Sequence, residues 1–86
     1  MRPADRFGAN LARARRLADV TQQELSVRAE IHRTEISMLE RGTRMPRLDT
    51  AIKLAASLEV DLEELAEGID WRPGETRAGG FREGER

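Results

Sequence analysis

TQQELSVRAEIHRTEISMLERGTRMP, residues 21–46, reads as two short helices joined by a tight turn and followed by a basic loop. Thr21 with Glu24 three residues on forms the T-x-x-E capping box, and Val20 and Leu25 are spaced as a hydrophobic staple around that start. The same grammar recurs at His32 and Glu35, with Ile31 and Ile36 as the staple pair; His is a weak cap, so this box is the poorer one. Gly42 stops the second helix, and Pro46 blocks a restart before it.

This arrangement resembles the helix-turn-helix of the lambdoid phage repressors, Cro and the xenobiotic-response-element (XRE) regulators. The residues that carry the resemblance are T-Q-x-E-L at 21–25, Ala29, Ile31, I-S-x-L-E-R-G at 36–42 and Pro46. It extends back to Phe7-Gly8, Leu11 and Arg15, and forward to Leu48, Ala55, Leu58, Val60, Leu62 and Leu65, roughly residues 5–67. No single motif among these is specific. The ordered set at this spacing is.

Outward from this stretch, residues 3–18 read as a first helix. Pro3 suits its first turn, and Phe7, Leu11, Ala14 and Leu17 form one apolar stripe. Residues 22–29 and 33–41 are the second and third helices. Residues 47–58 form a fourth, with Leu48, Ala51, Ile52, Ala55 and Leu58 as its inner face. A third box, Asp61 with Glu64, starts a short fifth helix over 62–67, with Val60 and Leu65 as its staple. The expected fold is an all-α, five-helix, lambda-repressor-like domain over residues 1–68. The resemblance implies Gly at the turns after helices one, two and four. Asp19, Glu30 and Glu59 stand there instead, each costing about 1 kcal/mol relative to Gly if its backbone is left-handed.

After Gly68 the composition changes to GIDWRPGETRAGGFREGER. The 69–86 tail is expected to dock partly at 69–72, through Ile69 and Trp71, against the domain or a second subunit. It is expected to be mostly disordered after 74.

The chain has 86 residues, enough for one small domain. It has no Cys, hence no disulfide framework and no thiolate metal site. No apolar run reaches the ~18 residues of a membrane span. The start, MRPADRFGANL, lacks the apolar region of a secretory signal, so the expected location is cytoplasmic. A net charge of −1 alone argues against nucleic acid. The distribution is uneven, however: residues 1–47 hold 10 Arg against 6 Asp or Glu, and residues 48–86 hold 5 Arg or Lys against 10 Asp or Glu. The helix-turn-helix lies in the basic half, and a local basic face sets the attraction to phosphates. The same asymmetry is also compatible with an ordinary solvated surface.

Little in the sequence points to catalysis. His32 is the sole His, and Tyr is absent. His32-x-x-Glu35 has spacing that would present two metal ligands, but no motif places a third, and the capping box explains the same pair. No Gly-rich loop follows a strand. Neither a metal, a cofactor nor enzymatic activity is expected.

DNA binding has more to draw on. On the third helix His32, Arg33, Thr34, Ser37 and Met38 fall on one face when Ile36 and Leu39 point inward. A helix fits the major groove, where its first residues meet base edges. Arg33 aligns with the first base-reading position of the family, and its guanidinium fork matches guanine O6 and N7. Thr34 and Ser37 suit most base edges or a phosphate, and Met38 suits a thymine methyl. The resemblance further assigns Gln22, at the start of the second helix, to the DNA backbone, together with Arg41, Thr43, Arg44 and Arg47 after the third. Asn10 and Arg13 are weaker backbone candidates. It also implies a pair between Arg15 and Glu40 that locks the first helix to the third. The expected function is a sequence-specific regulator of transcription, a repressor, binding double-stranded DNA as a homodimer on a palindromic operator. Two alternatives stand beside it: an antitoxin-like protein that grips a protein partner through its tail and autoregulates through the same domain, and an adaptor use of the fold without DNA binding.

Overall fold

The computed structural model describes residues 1–74 and 78–82. Five helices run in order: α1 (Pro3–Leu17), α2 (Gln22–Ala29), α3 (Arg33–Glu40), α4 (Leu48–Leu58) and α5 (Leu62–Leu65). Two two-residue strands follow, β1 (Trp71–Arg72) and β2 (Gly80–Phe81). The ends of helices one, three, four and five differ from the sequence reading by one or two residues.

Local chemistry explains the boundaries. At the start of α2 both halves of the capping box form: Thr21 Oγ1 accepts from the Glu24 N–H at 3.0 Å, and Glu24 Oε1 accepts from the Thr21 N–H at 2.9 Å. The boxes expected at His32 and Asp61 do not form, as neither side chain makes a cap hydrogen bond. Asp19, Glu30 and Glu59 do adopt left-handed backbone, with φ of 60°, 57° and 58°. Each is followed by an apolar residue whose N–H closes the helix end: Val20 to the Arg15 carbonyl, Ile31 to Ser26 and Val60 to Ala55, at 3.0–3.1 Å. These are Schellman closures, and burying the apolar residue just past the turn is part of the motif. Val20 is buried, and Ile31 and Val60 pack on the core. That burial offsets the strain of a Cβ at positive φ. Helix α3 ends the same way, with Gly42 at φ 75° and the Thr43 N–H on the Met38 carbonyl at 3.0 Å.

The core joins Phe7, Leu11 and Ala14 of α1 to Leu25 and Ala29 of α2, Ile36 and Leu39 of α3, four residues of α4, and Leu65. Two expected core assignments are corrected. Leu17 is 77% exposed; it lies about 80° round the helix from Phe7 at 3.6 residues per turn, and the chain turns away just after it. On α4, Leu48 and Ile52 are 69% and 50% exposed, while Leu54 is fully buried. The buried α4 face is Ala51, Leu54, Ala55 and Leu58. This helix is apolar over more than half its circumference, so periodicity alone offers two adjacent stripes, and packing against α2 selects one.

Glycine permits a close backbone approach between α1 and α3. A Cβ on Gly8 would lie 2.4 Å from the Leu39 carbonyl oxygen and 2.7 Å from that of Glu40, so α1 runs directly against the end of α3. Arg2 ties the same corner by bonding both Asp5 and the Gly42 carbonyl.

In the tail, Ile69 packs on the core. Trp71 does not; it is 55% exposed and meets Phe81 edge-on, with ring centroids 5.2 Å apart. The strands pair antiparallel, Trp71 with Phe81 and Arg72 with Gly80, an order that the sequence reading of this stretch did not anticipate. The expectation of disorder at 75–77 and 83–86 lies outside the described residues. Among the described residues no helix is long and apolar enough to cross a membrane.

Candidate nucleic-acid interface

Burying Ile36 and Leu39 fixes which way α3 faces. His32, Arg33 and Thr34 are exposed at its start, and Ser37 and Met38 are half-buried one turn on. His32 is the N-cap residue and has extended backbone with ψ 138°, so its ring stands beside the first turn of α3 without closing it. Arg33 has no acidic side chain within salt-bridge reach among the described residues. Its guanidinium is free to engage a ligand.

The cations at the far end of α3 are partly engaged by their own chain. Arg41 donates from Nη1 to Ser37 Oγ one turn back. Arg44 lies 3.7 Å from Glu35. Arg47, the N-cap residue of α4, pairs with Asp49 at 3.2 Å. These pairs are solvent-facing, and such pairs contribute little, so a phosphate can displace them at small cost. Thr43 is exposed, with its N–H committed to the helix end.

Behind this face lies a nearly dry cluster. Arg15 meets Glu40 through two bonds, Nε to Oε2 at 2.6 Å and Nη2 to Oε1 at 3.1 Å, and donates from Nη1 to the Val20 carbonyl at 2.9 Å. The hydrogen bond to Glu40 holds the Arg15 guanidinium even more basic than usual. Gln22, half-buried at the first position of α2, donates its amide to Glu40 at 3.0 Å. This bond was not legible in the sequence, where Gln22 and Glu40 carried separate roles.

Asn10 is buried and gives its amide to the carbonyls of Leu65 and Glu67, both at 2.9 Å. It fastens the end of α5 to α1. Arg13 beside it pairs with Glu67 at 3.5 Å. The Asn10 amide is thus committed within the domain, while the Arg13 pair is solvent-facing. Among the described residues no group of three or more His, Cys, Asp or Glu is placed to hold a metal ion.

A sequence profile described as helix-turn-helix matches residues 11–65, most of the chain and all of the cluster just described. The chain belongs to the helix-turn-helix family of DNA-binding transcription regulators. Within that family it is 40% identical over 70 residues to a protein of Sinorhizobium fredii named as the uncharacterized HTH-type transcriptional regulator y4dJ, an alignment covering 81% of this chain and 91% of that one. It is 38% identical over 48 residues to control protein C.BamHI of Bacillus amyloliquefaciens, covering 56% of this chain and 59% of that one. Among solved structures, the restriction-modification controller protein C.AhdI of Aeromonas hydrophila superimposes with a TM-score of 0.70 at 29% identity, covering 72% of this chain and 94% of that one. The clp gene regulator ClgR of Corynebacterium glutamicum superimposes with a TM-score of 0.73 at 22% identity, covering 76% of this chain and 69% of that one, a likeness of fold alone.

Proposed function

We propose that this chain regulates transcription by laying α3 in the major groove of a palindromic operator, as a homodimer, and that it acts as a repressor by occupying that site. The observation that carries the reading is the exposed Arg33, unpaired among the described residues, at the N-terminal end of a helix whose opposite face is locked into the core. An arginine at that place in a groove meets guanine O6 and N7 bidentately. Thr34, Ser37 and Met38 read neighbouring pairs, and His32 stands at the edge of the same face. Gln22, Arg41, Thr43, Arg44 and Arg47 hold the sugar–phosphate backbone and set register without specifying sequence. One domain of this size makes few base contacts, which is why two copies on two half-sites are proposed. The reading needs no metal, cofactor or catalytic group, and it places the protein where the DNA is, in the cytoplasm.

Arg33→Ala tests it. Affinity for a selected site falls by about 1–3 kcal/mol and preference relaxes at one base pair per half-site. Equal weakening on all sequences would make Arg33 a phosphate contact and displace the register proposed for α3.

A further inference from the structure

Glu40 holds two side chains at once. Both its oxygens take the Arg15 guanidinium, and Oε1 also accepts from Gln22 Nε2 at 3.0 Å. The Glu40 side chain is 8% exposed and that of Arg15 13%, so water competes weakly for these bonds. Among the described residues no buried side-chain nitrogen or oxygen is left without a partner.

The consequence falls on Gln22. A glutamine amide has two ends of nearly equal shape, one donating and one accepting, while a carboxylate only accepts. Only the nitrogen can therefore face Glu40; the reverse orientation would set two acceptors against each other. Held this way, Gln22 keeps one N–H on Glu40 and has one N–H left over. A phosphate oxygen is also an acceptor, so that second N–H is the part of the amide it can use. An unheld glutamine is among the side chains with most rotamer freedom to lose on binding. Its neighbour Gln23 is exposed on the same turn, and no hydrogen bond holds its side chain among the described residues.

We infer that Glu40 is a positioning residue for the DNA-backbone contact: it turns the Gln22 amide nitrogen-first and holds it, and through the same carboxylate ties that contact to the last residue of the reading helix. The inference rests on the proposed role of Gln22 at a phosphate. Glu40 itself touches no DNA. Its loss weakens binding to all sequences alike, and the share of that loss that runs through the amide is present only while Gln22 is.

The test has two readouts. The first is side-chain amide ¹⁵N relaxation in the unmodified chain, with Gln23 as internal control: the Gln22 amide is rigid and the Gln23 amide mobile. The second is a double-mutant cycle of Gln22→Ala and Glu40→Gln, in DNA affinity, on a selected duplex and a scrambled duplex of equal length. Circular dichroism confirms that each variant is folded at the assay temperature. Each single variant weakens both duplexes about two- to tenfold, the range of one net hydrogen bond, and the double variant is no weaker than the worse single one. If Glu40→Gln does not fold, Glu40→Asp takes its place, keeping the charge for Arg15 but drawing the carboxylate back by one methylene. A mobile Gln22 amide, or single effects that multiply, would overturn the inference while leaving the phosphate contact standing. A rigid amide with no affinity loss in Gln22→Ala would overturn the phosphate contact itself, and the inference with it.

Discussion

Gly8→Ala is the substitution for which the packing makes its sharpest demand. In the middle of an ordinary helix it would stabilise by about 1 kcal/mol. Here the added Cβ meets the Leu39 carbonyl oxygen at 2.4 Å, the Glu40 carbonyl oxygen at 2.7 Å and the Glu40 carbonyl carbon at 3.0 Å. All three are backbone atoms, so no rotamer change relieves the contact. Restoring van der Waals distance requires α1 and α3 to part by about 1 Å, against the fully buried Ile36 and Leu39 and the Arg15–Glu40 bonds. Overpacking of this kind costs about 1–3 kcal/mol. After the helix preference of about 1 kcal/mol is subtracted, roughly 0–2 kcal/mol of destabilisation remains, a fall in Tm of up to about 15 °C for a domain of this size. The displacement acts on the helix proposed to read DNA. Affinity for a selected site should therefore fall well below wild type even at temperatures where circular dichroism shows the variant folded. A variant with unchanged or raised Tm and unchanged affinity would show that α1 and α3 are not in backbone contact.

Three further outcomes are expected. Glu30→Gly removes a Cβ from left-handed backbone at φ 57°; it should raise stability by about 0.5–1 kcal/mol and leave DNA binding intact, and a lower Tm would mean that other contacts of the Glu30 side chain outweigh the strain. The hydrogen bond from Arg2 holds the Asp5 carboxyl below its ordinary range, so its contribution is present above the unfolded value near 4 and lost as pH falls through the lower folded value. The Tm difference between wild type and Asp5→Asn should thus be constant above about pH 5, close toward acid and shrink with salt because the pair is solvent-facing; a difference that persists at the acid end would assign it to something other than charge. Trp71 fluorescence should shift to the blue as concentration rises if the exposed aromatic pair meets a second copy, whereas emission that does not change with concentration would remove the tail from the dimer contact.

The helix starts and stops were legible because they depend on residues within a few positions: the Thr21–Glu24 box, Gly42, and the left-handed turns at Asp19, Glu30 and Glu59. The turns were placed by the resemblance, which puts Gly at these three positions; what the sequence did not show is that Val20, Ile31 and Val60, read as staple residues, also close the preceding helix ends. Choices that depend on distant partners were not legible. Leu54 and Leu48 are equally apolar, and only the position of α2 decides that Leu54 goes inside. Glu35 has the spacing of a capping residue, but His32 is a weak cap and its side chain makes no cap hydrogen bond, while Glu35 lies 3.7 Å from Arg44 on the next loop. The exposed face of α3 followed from the positions of Ile36 and Leu39. The bond from Gln22 to Glu40 did not, because it joins residues on two helices whose approach is set by the whole core. The short strand pairing of Trp71 with Phe81 escaped for another reason: nothing in a Gly-rich, charged stretch gives the alternation that marks a strand.

The central claim is that this chain recognises a particular duplex sequence through α3. In vitro selection of duplex DNA by the full chain, followed by titration of the selected site and a scrambled duplex at several salt concentrations, tests it most directly. The account predicts a two-fold symmetric site whose half-sites lie one helical turn, ~34–36 Å, apart, bound at least ~10³-fold more tightly than the scrambled duplex at the same salt. No enrichment of any sequence, with equal affinities for both duplexes at every salt concentration, would contradict it.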